Sequence, residues 1–475
     1  MSENHSSSSC HRIPSRYWKP SRTTSAVLIA ISYALRIDTV ADRRFGVTVV
    51  TALPISESSI GCIGKRRWFG EASGQRRLLV DGHARVAGVG MAPFETPSRS
   101  ESYDVLAELA VLAALSDAGL DYSAIQQVYA GYVYGDSTSG QKVAYRVGMT
   151  GVPVVNVNNN CSSGSSALWL ARQAVEGGAA QCVLAVGFEQ MRRGALTAQW
   201  DDRPSPFDRF DETARAAQGE VDAAVPMAAR FFGGAGADYA RRYGTKPETF
   251  AAISVKARKH AANNPYAVFR EQLTVAEVLD SPSIFGPLTR LQCCPPTCGA
   301  AAAILCTPEF ARKHGLSGGV EIAAQAMTTD RPGTFDSDDL TKLVGYDLTV
   351  DAATQVYEAA GIGPEDVPVV ELHDCFTTNE LLTYEALGLT PEGTGEKFVL
   401  DGDNTYGGTV VTNPSGGLLS KGHPLGATGL AQCAELVWQL RGRAGARQVE
   451  GAEIALQHNL GLGGACVVSL YRKVR

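Results

Sequence analysis

Asn158-Asn159-Asn160-Cys161-Ser162-Ser163-Gly164 and Ser420-Lys421-Gly422-His423-Pro424-Leu425-Gly426 are the two stretches on which the fold turns. Each is a polar turn that opens a helical run, to residue 175 and to residue 440, and each run leads to an apolar strand, over 182–187 and 453–457. Working outward, the first turn is preceded by a strand at 85–91, a helix at 102–118 and a strand at 128–134. In that helix Val105, Leu109 and Leu112 share one face, and Gly119 is a C′ residue. The second turn is preceded by the same order: a strand at 320–327, a helix at 349–360 stopping at Gly361, and a strand at 367–372. Two copies of one strand–helix–strand series predict an α/β chain of two similar halves packed face to face. Both copies put polar residues where a strand ends and a helix begins, which is where open α/β sheets place ligands.

The remaining segments differ in character. Residues 200–287, rich in Arg, Asp, Ala and Pro with a helical piece at 250–260, read as an inserted lid or binding surface. Its Arg203, Arg209, Lys246, Lys256, Arg258 and Lys259 are candidate phosphate contacts, or a solvated surface. The first 84 residues carry Ser6-Ser7-Ser8-Ser9 and no sustained period, and read as a poorly ordered extension or as translated sequence upstream of a start near Val80. A Ser/Arg-rich, acid-poor start also fits a transit peptide, and residues 26–35 a signal core; neither is favoured. Of 475 residues, 44% are hydrophobic and 19% charged, enough for a large globular core, and the net charge of −6 argues against a nucleic-acid footprint. No apolar run reaches the roughly 20 residues that span a membrane. Eleven cysteines, several in apolar strands (Cys182, Cys306, Cys466), read as free thiols in a reducing compartment.

Cys161 sits at a strand-to-helix turn, where a thiol is exposed by the turn, a thiolate is favoured by the helix dipole and its own amide is a candidate oxyanion donor. Alone, such a cysteine is more often structural. Its company changes that: His423 lies in the equivalent turn, His373 and Cys375 follow a buried strand in Glu371-Leu372-His373-Asp374-Cys375-Phe376, and His458 lies near a Gly-rich turn. Three histidines and two cysteines at one end of paired sheets point to a nucleophilic site. The run Cys293-Cys294-Pro295-Pro296-Thr297-Cys298 lacks the spacing of a zinc site, and no metal is expected.

Over residues 86–472 the chain resembles the thiolase superfamily, and within it the sterol-carrier-protein-2 type. The resemblance rests on Asn156-Val157-Asn158-Asn159-Asn160-Cys161-Ser162, on His373-Asp374-Cys375-Phe376-Thr377-Thr378-Asn379-Glu380, on Asn413-Pro414-Ser415-Gly416-Gly417, on Lys421-Gly422-His423-Pro424-Leu425-Gly426 and on His458-Asn459-Leu460-Gly461-Leu462-Gly463-Gly464. It implies two βαβαβαββ halves with a loop domain: 85–205 with 285–318 as the N-terminal half, 206–284 as the loop domain, 319–475 as the C-terminal half. It implies a homodimer acting on 3-oxoacyl-coenzyme A with coenzyme A as co-substrate and no permanently bound cofactor. Cys161 would take the acyl group, His423 would deprotonate it, Cys375 would be the second acid/base, and His373 and His423 would donate to the thioester oxygen. Amides of Cys161, Gly461, Gly463 and Gly464 would complete the oxyanion sites, with His458 as a possible auxiliary.

Most thiolases carry Asn-Glu-x-Phe where this chain has His373-Asp374-Cys375-Phe376, and a C-terminal Cys-x-Gly where it has His458-Asn459-Leu460-Gly461. The two changes match, since Cys375 supplies the thiol that the C-terminal loop lacks. A decarboxylating ketosynthase would need no second thiol. A coenzyme A-thioester scaffold, or a partner in a retro-aldolase, would have lost part of this set. The ending Arg472-Lys473-Val474-Arg475 is no peroxisomal address, and with the Ala/Arg-rich composition suggests a bacterial cytoplasm.

Overall fold

The computed structural model describes residues 82–192, 200, 202–222, 224–316 and 319–474; elsewhere it gives only the backbone of Val40–Ala41 and Thr48–Val49, a short antiparallel pair in a separate unit, Met1–Gln75. The expected extension over 1–84, the start near Val80 and the apolar run at 26–35 thus fall almost wholly outside the described residues.

The first half runs β1 (Arg85–Met91), α1 (Tyr103–Ala118), β2 (Gln127–Gly131), α2 (Ser139–Val147), β3 (Val154–Val157), α3 (Ser163–Glu176) and β4 (Cys182–Glu189). An insertion holding α4 (Asp208–Gln218), α5 (Met227–Tyr243) and α6 (Pro247–Ala261) precedes β5 (Gly299–Cys306). The second half repeats the order: β6 (Val320–Thr328), α7 (Tyr346–Ala360), β7 (Val369–Glu371), α8 (Thr377–Ala386), β8 (Val411–Thr412), α9 (Leu425–Leu440), β9 (Ile454–Gly461) and β10 (Ala465–Lys473). Across the sheet the strands lie β3-β2-β4-β5-β1-β6-β10-β9-β7-β8. Read outward from the centre, both sides give the same sequence of strands. On each side the outer three are parallel and the inner pairs antiparallel. The parallel pairs are joined through helices because a parallel connection must cross over. Within the sheet the halves are joined where β1 pairs with β6, Val86 opposite Val320 and Arg85 opposite Glu321.

The layers follow from where apolar side chains fall. α3 and α9 form the middle layer: Leu168, Ala171 and Val175 pack with Ala427, Leu430, Ala431 and Val437, and with strand residues of both halves such as Val183, Ala303, Val369 and Ala455. A fully buried leucine such as Leu168 or Leu430 contributes about 2 kcal/mol from burial alone. α1 covers the outer face of the first half, while α7, α8 and the inserted α5 and α6 cover that of the second.

Gly119 and Gly361 end their helices in the left-handed region, at φ 65 and 69, as their positions suggest. The second polar turn opens α9 as expected, from Leu425 to Leu440, after a π turn at Gly417–Lys421. Two expectations need correction. The buried face of α1 is Leu106, Ala107, Ala110, Val111, Ala114 and Leu115; Leu109 and Leu112 point outward, 50% and 48% exposed. His458 lies within β9, not in a Gly-rich turn.

Candidate active site

Between β3 and α3 the chain makes a tight turn at Asn160, φ 51, a left-handed conformation that asparagine tolerates. The Asn158 side chain accepts from the Asn160 amide at 3.0 Å, and the Ser163 hydroxyl donates to the Asn160 carbonyl at 2.6 Å. Asn160 Nδ2 donates to the Leu462 carbonyl at 2.9 Å, tying this turn to the β9–β10 turn of the other half. Gly461 makes that approach possible, since a Cβ there would lie 2.2 Å from the Asn159 carbonyl oxygen. Cys161 stands on this turn, partly exposed. Burial of its sulfur pushes the thiol up to about 12, against the opposing pull of the Leu462 and Cys161 amides. Burial thus favours the neutral thiol.

His423 follows Gly422, whose φ of 120 turns the chain back, and its amide donates to Thr297 Oγ1 at 3.2 Å. Its Nδ1 is 2.7 Å from Thr428 Oγ1, and the Thr428 hydroxyl donates to the Pro424 carbonyl at 3.1 Å. Both contacts are hydrogen bonds only when Nδ1 carries the ring proton. Nε2 is then a bare lone pair, buried and without a hydrogen-bond partner among the described residues. Burial pushes this imidazole down to about 3, so it is a neutral base. The His373 ring stands 5.0 Å away at 85° to it. Cys161 Sγ and one ring nitrogen of each histidine all lie within 4.8 Å of one another, a spacing that a soft-metal ligand set also shows.

Cys375 is buried, and its thiol is raised far above the usual range by burial, then by the neighbouring Cys294 and Cys161 sulfurs. The Cys294 amide donates to the Cys375 carbonyl at 2.9 Å, so the 293–298 run backs the site through Cys294. Cys298 faces elsewhere, 3.4 Å from the Met191 carbonyl.

His458 has both ring nitrogens engaged within the protein. It is buried, its Nδ1 accepts the His373 amide at 3.3 Å, and its Nε2 meets Thr349 Oγ1 at 3.0 Å. Its work is to hold His373. Gly463 and Gly464, at φ 99 and 97, abut Phe207 and Asp330, and the amides directed at the nucleophile are those of Leu462 and Cys161. Lys256 and Arg258 are not phosphate contacts either: Lys256 is buried against Glu380 and Thr412, and Arg258 is buried with its guanidinium over Phe269.

Two carboxylates escaped the sequence reading because acidic residues beside motifs carry no spacing signal. Asp374 accepts the Leu418 and Leu419 amides at 2.7 and 3.4 Å, fastening the His373–Cys375 loop to the turn that leads into His423. Glu189 accepts the Val133, Tyr134 and Gly426 amides at 3.0–3.1 Å, fastening the first half to the start of α9.

Comparison with known proteins agrees with this architecture. The family profile for the thiolase N-terminal domain matches residues 85–309, and that for a thiolase C-terminal domain-like unit matches 330–470. The chain is 56% identical over 391 residues to sterol carrier protein 2 of Rattus norvegicus, covering 82% of this chain and 71% of that one. It is 43% identical over 394 residues to non-specific lipid-transfer protein-like 2 of Caenorhabditis elegans, covering 82% and 95%. Among solved structures, the Ltp2-ChsH2(DUF35) aldolase superposes with a TM-score of 0.70 at 26% identity, covering 83% of this chain and 99% of that one. Human mitochondrial 3-ketoacyl-CoA thiolase in complex with CoA superposes at 0.62 and 19% identity, covering 83% and 98%, a likeness of fold alone. An aldolase on the same frame means that fold does not fix the chemistry; the side chains do. With both profiles matched in order and relatives above half identity, the chain belongs to the thiolase family and is an acyltransferase of the sterol-carrier-protein-2 type.

Proposed function

We propose that the protein transfers an acyl group reversibly between 3-oxoacyl-coenzyme A and coenzyme A, with Cys161 as the carrier. The observation behind this is the meeting of Cys161 Sγ with the His373 and His423 rings, with a second thiol, Cys375, beside it. His423 Nε2 takes the thiol proton as Cys161 attacks the C3 carbonyl. Because thiol and imidazole are both neutral at rest, proton transfer accompanies attack. The new oxyanion is met by N–H donors, and His423 becomes one once protonated; each donor lowers the barrier by about 3 kcal/mol. The C2–C3 bond then breaks, and the acetyl-coenzyme A carbanion takes its proton from Cys375. The Cys375 thiolate next removes the proton of incoming coenzyme A, whose sulfur attacks the acyl-enzyme; Cys161 leaves and regains its proton from His423.

The same reading divides the chain as 85–205 with 285–318, 206–284 as a lid, and 319–475, and places the enzyme in fatty-acid or sterol side-chain β-oxidation in a bacterial cytoplasm. A homodimer is supported by β3, which closes the sheet with β2 as its only partner strand among the described residues, while Val155, and nearby Tyr145 and Met149, are exposed. Lys246 and Lys259 remain exposed cations for the coenzyme phosphates.

The test is thiolysis of 3-oxoacyl-coenzyme A substrates of graded length and 2-methyl branching, with Cys161→Ala and Cys375→Ala alongside. Cys161→Ala should form no acyl-enzyme by mass spectrometry. Cys375→Ala should accept an acyl group from a ready-made thioester yet fail to turn over; normal turnover there rejects the acid/base assignment.

A further inference from the structure

We propose that Asn459 is a positioning residue that holds His373 in the tautomer with its proton on Nε2, making the Cys161, His373 and His423 trio an anion site and not a metal-ligand set. This rests on the acyl transfer proposed above, with His373 as one of the N–H donors that meet the oxyanion.

The proton positions follow from acceptors that have no choice. The Gly429 carbonyl only accepts, so the Gln457 atom 2.7 Å from it is Nε2. That Nε2 also donates to Ser165 Oγ at 2.9 Å, and Ser165 directs its own proton to Asn459 Oδ1 at 2.8 Å. Asn459 Nδ2 then faces two acceptors: the Cys161 carbonyl at 3.3 Å, which again can only accept, and His373 Nδ1 at 3.0 Å. Nδ1 of a neutral imidazole that accepts leaves its proton on Nε2. Burial, with His423 and His458 beside it, keeps His373 neutral. His423 has the opposite arrangement, with its proton turned to Thr428 and its lone pair free.

Each ring has a nitrogen in the cluster with Cys161 Sγ, and the hydrogen bonds leave His373 an Nε2–H and His423 a bare Nε2. A divalent ion would need a lone pair from each ring and a thiolate. His373 supplies one only by moving its proton to Nδ1, where it would point at the Asn459 N–H. An oxyanion is served by the arrangement as it stands. One asparagine sets which of two chemistries the trio performs.

The direct test leaves Asn459 in place: 15N-histidine spectra of the full-length protein, with the His373 signals identified by their loss in His373→Gln. His373 should show a protonated Nε2 and a bare Nδ1, and His423 the reverse; a proton on His373 Nδ1 overturns the proposal. Asn459→Leu removes the restraint while keeping the branching of the side chain. Its kcat for thiolysis should fall about 10²- to 10³-fold with little change in KM, and it should bind Co2+ with a thiolate-to-cobalt absorption band that the native protein lacks at the same concentration. Unchanged kcat, or equal cobalt binding by both proteins, overturns it. Should Asn459→Leu not fold, the native spectrum decides alone. Full activity of His373→Gln would instead refute the role given to His373, while leaving the tautomer to be judged from the native spectrum.

Discussion

At the scale of single residues, the site is an arrangement of buried neutral groups whose hydrogen bonds set their direction. Cys161, His373, Cys375 and His423 were legible because nucleophile and base chemistry restricts residue type. The residues that orient them were not, because a supporting bond can come from many side chains. His458 shows the difference: its imidazole suggests an acid/base role, yet both ring nitrogens are engaged by the His373 amide and Thr349. His458→Leu should leave the His373 amide buried and unsatisfied, costing about 1–3 kcal/mol of stability. It should lower kcat less than His373→Gln does, and acyl-enzyme should still form. Urea titration and mass spectrometry check both; loss of acyl-enzyme with unchanged stability would return His458 to the reacting groups.

At the scale of elements, α1 shows where sequence patterning stops. Its run Tyr103–Ala118 is apolar almost all round, so several faces satisfy a helical period, and the larger leucines draw the eye. The structure buries the alanine-rich face because β1 presents glycines beneath it. A Cβ at Gly88 would lie 2.3 Å from the Ala114 carbonyl, and one at Gly90 2.3 Å from that of Ala110. The helix thus sits too close for Leu109 or Leu112 to fit under it, a constraint that only the partner strand reveals. Gly90→Ala should force α1 away from the sheet and cost about 1–3 kcal/mol, the usual range for overpacking. Leu112→Ala, a larger truncation on paper, should stay within about 0.5 kcal/mol of native because the side chain is half exposed. Equal losses in thermal or urea unfolding would mean that the buried face is misassigned.

For the molecule as a whole, the duplication was readable because each half repeats its strand and helix order, but the way the halves share one site was not. Cys161 comes from the first half and His373, Cys375 and His423 from the second; Asn459, Asn160 and Glu189 bridge them. The shared interior is dry enough to keep imidazoles uncharged, and this has a consequence for stability. Burial pushes His260, His423 and His458 down to about 3. In the unfolded chain each takes a proton below about 6.5. Unfolding therefore binds protons between those values, so the stability present above pH 6.5 is lost as pH falls toward 3. Glu189 acts in the opposite sense: burial raises it to about 7, so the folded state holds its proton while the unfolded state releases it above about 4.5, and stability falls as pH rises through that window. Asp374, which burial raises to about 8, acts in the same sense as Glu189, so each group is read by the change in slope when it is replaced. His423→Gln should lower that slope by close to one proton, about 1.4 kcal/mol per pH unit at most, and Glu189→Gln should raise it. Urea unfolding at pH 5, 5.5 and 6 reads both changes; a slope untouched by His423→Gln would show that this imidazole is already charged in the folded protein and is not the base that Cys161 requires.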